Sequence, residues 1–206
     1  MLTVVNIPNF LTLLRIVAIP CFLILLEDLR YGEALAVFVA AGVTDGLDGA
    51  IARVTHTKTT LGAFLDPAAD KMLLVSAFIA LGFMDEVPRW LPVVIISRDV
   101  VIVVGYFLLF MLTHRTMEVH PSVSGKLATV LQLLSVAVVL VSLSEPGLIL
   151  PPAQELLFYA TATVTTAAGL QYMYRGLAWL QRQSAAPGLK EAEEGRAAAE
   201  DRRRRA

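Results

Sequence analysis

Four carboxylates stand in two pairs within the stretch DGLDGAIARVTHTKTTLGAFLDPAAD, residues 45–70: Asp45 with Asp48, and Asp66 with Asp70. At 3.6 residues per helical turn each pair shares one face, and Arg53 follows Asp48 by about one and a half turns. The connector from Val54 to Leu61 is short, so the two helices are expected to be antiparallel neighbours with the acid pairs facing each other across a groove. Four clustered acids raise one another's pKa until some are neutral, unless cations compensate. The oxygen-only donor set, with no paired His or Cys, favours Mg2+ or Mn2+ over zinc. Two such ions, about 3.5 to 4 Å apart, neutralise the cluster and can grip a diphosphate. Gly46, Gly49, Ala50, Ala52, Gly62, Ala63, Ala68 and Ala69 remove bulk around the acids. Any one of these small residues can simply serve close helix packing. Together, beside the acids, they also leave room for a flat base or a phosphate to approach the backbone. Arg53 offers a fork for a phosphate oxygen, and equally an anchor at a helix end.

The elements that must position these residues are membrane helices. Of 206 residues 56% are hydrophobic and 17% charged, and the mean hydropathy is +0.67, well outside the range of a soluble domain. Crossing a hydrocarbon core of about 30 Å takes about 20 apolar residues. Six stretches qualify, at roughly 9–26, 33–54, 62–84, 90–112, 126–144 and 154–178. Helices are required, since open strand edges go unsatisfied in lipid and no barrel alternation is present. The expected fold is therefore an all-α integral membrane bundle of six transmembrane helices. The opening MLTVVNIPN lacks a positive n-region and the run after it carries Arg15, so the first apolar stretch is expected to be a retained span rather than a cleaved signal.

The connectors EDLRYGE and MDEVPR are richer in acids than in bases, and SEPGLILPPAQE has no basic residue, whereas Arg53, Lys58, Arg115, Lys126, Arg175 and Arg182 gather on the alternate side. The positive-inside rule places both termini, and with them the aspartates, on the cytoplasmic side of a cell (inner) membrane. A helical domain over 1–182 is expected to end in a mobile charged cytoplasmic tail over 183–206, whose RRRR could touch anionic lipid. The net charge of −1 hides segregated charges and gives no reason to expect nucleic acid as a partner. The lone cysteine, Cys21, is expected to be a small buried hydrophobe.

The pattern Asp45, two residues, Asp48-Gly49, two residues, Ala52-Arg53, eight residues, Gly62, three residues, Asp66, three residues, Asp70 resembles the signature of the CDP-alcohol phosphatidyltransferases at all eight defined positions. The resemblance extends to about residue 180. It implies a metal-dependent phosphotransferase in which Asp45 and Asp66 bridge two ions, Asp48 completes the first, and Asp70 touches the second while acting as general base. It further implies that Gly49, Ala52, Arg53, Thr59 and Gly62, with Asn9 at the start of the first helix, surround the CDP moiety. A homodimer is implied as well. NIPNFLTLLRIVAIP, LGAFLDPAADKMLL and SGKLATVLQ resemble segments of phosphatidylglycerophosphate synthases, and cardiolipin synthases share much of this pattern. The expected reaction is transfer of a phosphatidyl group from CDP-diacylglycerol to glycerol 3-phosphate, with phosphatidylglycerol or an inositol phosphate as alternative acceptors. Lys126, Arg175 and, more weakly, Arg115 could hold the acceptor phosphate or serve as topological anchors. One departure is SRD at 97–99, where the resemblance leads one to expect Arg followed by Glu.

Within the fourth span, adjacent Arg98 and Asp99 point to different helix faces and are not expected to pair. Arg98 is expected to have a buried structural partner. His56, His114 and His120 fall in loops without ligand spacing, and Trp90, Tyr172, Tyr174 and Trp179 suit an aromatic belt. A divalent-cation or proton transporter would also carry acids in a bundle, but along a path across the membrane rather than clustered at one end. A scaffold has no use for the desolvation cost of four acids.

Overall fold

The computed structural model describes the backbone over residues 7–55, 60–113 and 122–205, and side-chain environments over 14–44, 71–111 and 122–181. Among these residues there are six helices and no strand: α1 (Ile7–Glu27), α2 (Tyr31–Thr55), α3 (Thr60–Phe83), α4 (Trp90–Thr113), α5 (Val123–Ser144) and α6 (Pro151–Arg205). Each falls on an apolar stretch picked out by hydropathy, with ends shifted by a few residues. The exception is α6, whose backbone stays helical to Arg205, well past the apolar stretch that ends at 178. The segment over 183–206 is rich in Ala, Glu and Arg, all good helix formers, and low hydrophobicity does not oppose a helix.

Two outer turns close in the same way. After α1, Arg30 N–H donates to Leu25 O and Leu29 N–H to Leu26 O, with Leu29 at φ 58°. After α3, Glu86 N–H donates to Leu81 O and Asp85 N–H to Gly82 O, with Asp85 at φ 61°. Both are Schellman endings in which a residue other than glycine takes the left-handed position. Charges in these turns pair locally, Arg30 with Glu33 and Arg89 with Asp85. The Arg89 guanidinium, hydrogen-bonded to Asp85, holds that carboxyl below its ordinary range.

The helices form a closed circuit in which α1 packs on α2 and α3, α2 on α5, α5 on α6, α6 on α4 and α4 on α3. Its core is a ladder of Phe22 and Leu26, Phe38, Phe78 and Leu81, Leu91 and Ile95, and Val136, Val139 and Leu140. In their described halves α2 and α3 share little direct contact, because α1 packs against both. The halves nearest their short connector, where direct neighbour packing is expected, lie outside the residues whose side chains are described. Between α5 and α6 runs a buried polar seam: Gln132 Nε2 donates to Thr165 Oγ1 at 3.0 Å, and Ser135 Oγ lies 2.8 Å from Thr161 Oγ1. Such bonds join helices where apolar burial gives little drive to associate.

The outward faces are apolar. Val93, Val100, Val103, Val104, Phe107 and Met111 of α4 are exposed, as are Leu156, Leu170 and Leu177 of α6, far more than a water-facing surface carries in one patch. Trp90–Met111 and Val123–Ser144 are long and apolar enough to cross a membrane. Trp90 stacks on Tyr159 with centroids 5.5 Å apart, joining the first turn of α4 to α6. Cys21, expected inside, is exposed on this outer surface. An apolar environment accepts a thiol outside the bundle as readily as within it.

Candidate functional site

The motif lies on two consecutive helices. Asp45, Asp48, Gly49, Ala52 and Arg53 occupy the C-terminal part of α2, and Gly62, Asp66 and Asp70 the N-terminal half of α3, while Asn9 is in the first turn of α1. The helical spacing assumed from sequence therefore holds at the backbone. Their side chains, and Thr59 and Arg115 altogether, lie outside the described residues. As a donor set, four carboxylates and no soft ligand suit a hard divalent cation. Thr44, directly before Asp45, lines a groove between α1 and α2 together with Leu14, Arg15, Ala18, Cys21 and Ala41. Arg15 is buried, and the groove is otherwise almost wholly apolar.

Next to the motif the structure reveals a charged cluster. Lys71, which follows Asp70, donates from Nζ to both oxygens of Asp99 on α4, at 2.9 and 2.7 Å. Arg98 Nη1 donates to Asp99 Oδ1 at 2.7 Å. Adjacent residues on α4 thus do pair, contrary to the expectation from helix faces, because the long arginine side chain brings its guanidinium to the neighbouring carboxylate. The guanidinium carbon also lies 5.7 Å from the ring centroid of Tyr172 on α6, so Tyr172 belongs to this cluster and not to an outer belt. Arg98 is the buried structural residue expected of it, but the carboxylate that balances it was missed. The available signal was two basic residues and one acid at mid-span, which in lipid must find partners.

Two glycines make the space for Arg98. A Cβ at Gly169 would meet Arg98 Cγ at 3.2 Å, and one at Gly125 would lie 3.4 Å from its Nη2. Gly169→Val is therefore expected to displace Arg98 and lower stability by about 1–3 kcal/mol, read as a lower Tm in detergent.

Gly125 belongs to the first turn of α5. Ser122 caps that helix, its Oγ accepting from Gly125 N–H at 3.1 Å, and Ser122 N–H donates to the Tyr172 hydroxyl at 3.5 Å. Ser124 Oγ donates to Gln171 Oε1. Hence α5 begins level with Arg98, although α4 continues to Thr113, about 22 Å farther at 1.5 Å per residue. Lys126, exposed beside Gly125, shares this level. Arg175, also exposed, follows Gly169 by six residues of α6, about 9 Å along the axis. The two cations expected at one acceptor site thus rise from the backbone at different heights, a gap that long side chains can bridge, and the α5 N-terminus adds partial positive charge at the level of Lys126.

Comparison with known proteins identifies the family. The family model described as CDP-alcohol phosphatidyltransferase matches residues 5–168, which include every motif position on α2 and α3. A Mycobacterium tuberculosis protein named "Probable phosphatidylglycerophosphate synthase" is 34% identical over 183 residues, covering 84% of this chain and 83% of its own. The "CDP-diacylglycerol--glycerol-3-phosphate 3-phosphatidyltransferase" of Bacillus subtilis is 34% identical over 182 residues, 81% of this chain and 93% of its own. The "Cardiolipin synthase (CMP-forming)" of Rattus norvegicus is 35% identical over 190 residues, 83% of this chain but 61% of its own. With a family match over most of its length, this chain belongs to the CDP-alcohol phosphatidyltransferase family and is an enzyme of that class.

Proposed function

We propose that the protein transfers the phosphatidyl group of CDP-diacylglycerol to glycerol 3-phosphate, giving phosphatidylglycerophosphate and CMP. The observation that carries this reading is the eight-position motif on two consecutive helices, within a chain similar along most of its length to relatives named for that reaction. The bundle is taken to cross a cell membrane six times with both termini cytoplasmic, as a homodimer. The site then lies at the boundary where lipid tails and water-soluble partners meet. The groove lined by Thr44 supports this, since it offers an acyl chain an apolar course between α1 and α2 close to Asp45 in the chain.

In this reading Asn9, Gly49, Ala52, Arg53, Thr59 and Gly62 hold the CDP moiety. Arg53 forks onto a phosphate oxygen while the small residues let the nucleotide approach the backbone. Two Mg2+ or Mn2+ ions held by Asp45, Asp48, Asp66 and Asp70 supply charge neutralisation for the diphosphate and the departing CMP. Asp70 accepts the proton of the acceptor hydroxyl as its oxygen bonds to the lipid-side phosphorus. The bond from that phosphorus to the CMP oxygen breaks, and CMP leaves with the electron pair. Such chemistry asks the protein mainly for positioning and charge compensation.

Lys126, Arg175 and Arg115 are assigned to the acceptor phosphate. Lys126 at the α5 N-terminus is the best supported of the three, because cation and helix end act at one level. Lys126→Met is expected to raise the KM for glycerol 3-phosphate about 10- to 100-fold, as loss of a charge-assisted bond implies, while the KM for CDP-diacylglycerol stays put. A parallel rise in both would remove Lys126 from the acceptor site. Phosphatidylglycerol is the second acceptor to test, given the similarity to a cardiolipin synthase. Labelled CDP-diacylglycerol offered with each acceptor separately decides the matter. Absence of CMP release with glycerol 3-phosphate, and release with phosphatidylglycerol, would reverse the assignment.

A further inference from the structure

Asp99 is the only acid in α4, and its side chain is 18% exposed against 10% for Arg98 and 39% for Lys71. Among the described residues one carboxylate thus balances two cations, and a partly buried charge stripped of its partner is costly. Lys71 stands one residue after the last aspartate of the motif, and its ammonium rides on a flexible four-carbon stem. Asp99 holds that ammonium with both oxygens. Arg98 cannot release Asp99 for other work, because the cleft between Gly125 and Gly169 fixes it in place.

We propose that Asp99 is a positioning residue for the reactive aspartates: by gripping Lys71 it keeps the ammonium off Asp70 and leaves the four-carboxylate cluster to its divalent cations. The inference rests on the reading of Asp45, Asp48, Asp66 and Asp70 given above. Without Asp99, Lys71 loses the partner that holds it, one residue from the last aspartate of the motif. An ammonium drawn there supplies charge without the octahedral geometry of a metal ion, and holds Asp70 away from the acceptor hydroxyl.

This account predicts an asymmetry that a simple helix-to-helix tie does not. In the purified full-length protein, Asp99→Asn should lower kcat about 100-fold, the scale of a small misplacement at a reacting group. It should also weaken Mn2+ binding, followed by electron paramagnetic resonance without substrate, about tenfold or more. Lys71→Met should stay within about threefold of the parent in both, and the double variant should recover to within about tenfold, since removing both partners of an ion pair is tolerated better than removing one. Equal damage from Asp99→Asn and Lys71→Met with no recovery in the double variant would overturn the proposal, as would unchanged Mn2+ binding in Asp99→Asn. Should Asp99→Asn fail to fold, the double variant decides alone, its Mn2+ affinity either recovered or lost. A parent protein that releases no CMP with any acceptor would instead refute the reaction, and the Mn2+ titration would still decide the role of Asp99.

Discussion

Asp70→Asn is expected to reduce CMP release about 10³-fold, within the range that a positioned general base contributes, while CDP-diacylglycerol still binds within a few-fold of its original affinity. The substitution keeps size and helix propensity nearly constant and removes the negative charge and the ability to take a proton. In the proposed scheme the acceptor hydroxyl then attacks without a base, although three of the four carboxylates remain to retain the donor. Single-turnover CMP release, set beside equilibrium binding of the donor, separates the two quantities. A variant that lost both in equal measure would show Asp70 to be a binding residue first.

Asp45→Asn is expected to behave differently, with Mn2+ binding, donor binding and turnover failing together, each by about 100-fold or more. The basis is electrostatic: a diphosphate is repelled by acids whose compensating ions have gone, so loss of a carboxylate that serves both ions removes the attraction for the nucleotide too. Mn2+ titration and donor binding on the same preparation test the linkage. Near-native turnover in both the Asp45 and the Asp70 variant would dismantle the site as drawn.

Much of this architecture is legible in the sequence, for reasons the same physics supplies. Runs of about 20 apolar residues leave little choice but helices, and α1 to α5 lie where hydropathy puts them. The motif is legible because acids so near apolar spans demand an explanation. What escaped depends on neighbours that periodicity cannot name. That α1 packs against both α2 and α3 is a property of the closed circuit, which connector length does not report. The Gln132–Thr165 and Ser135–Thr161 bonds were invisible because hydropathy treats such residues as mild interruptions of an apolar run. The Arg98–Asp99 pair was excluded by a rule about helix faces that holds for short side chains and fails for arginine, whose reach exceeds one turn. Lys71 was passed over as part of a matching segment, although its charge needed a partner as much as any other.

The start of α5 bears on what sets the height of a helix end. It opens beside Arg98 while the apolar flank of α4 runs on to Thr113. In a bilayer the N–H groups of a helix start cannot face hydrocarbon, and here two of them are met from within the bundle, Gly125 N–H by Ser122 Oγ and Ser122 N–H by the Tyr172 hydroxyl. The cap thus frees the start of α5 from solvent at those two groups, so its height along α4 is set by contacts with α6 and need not coincide with a water boundary.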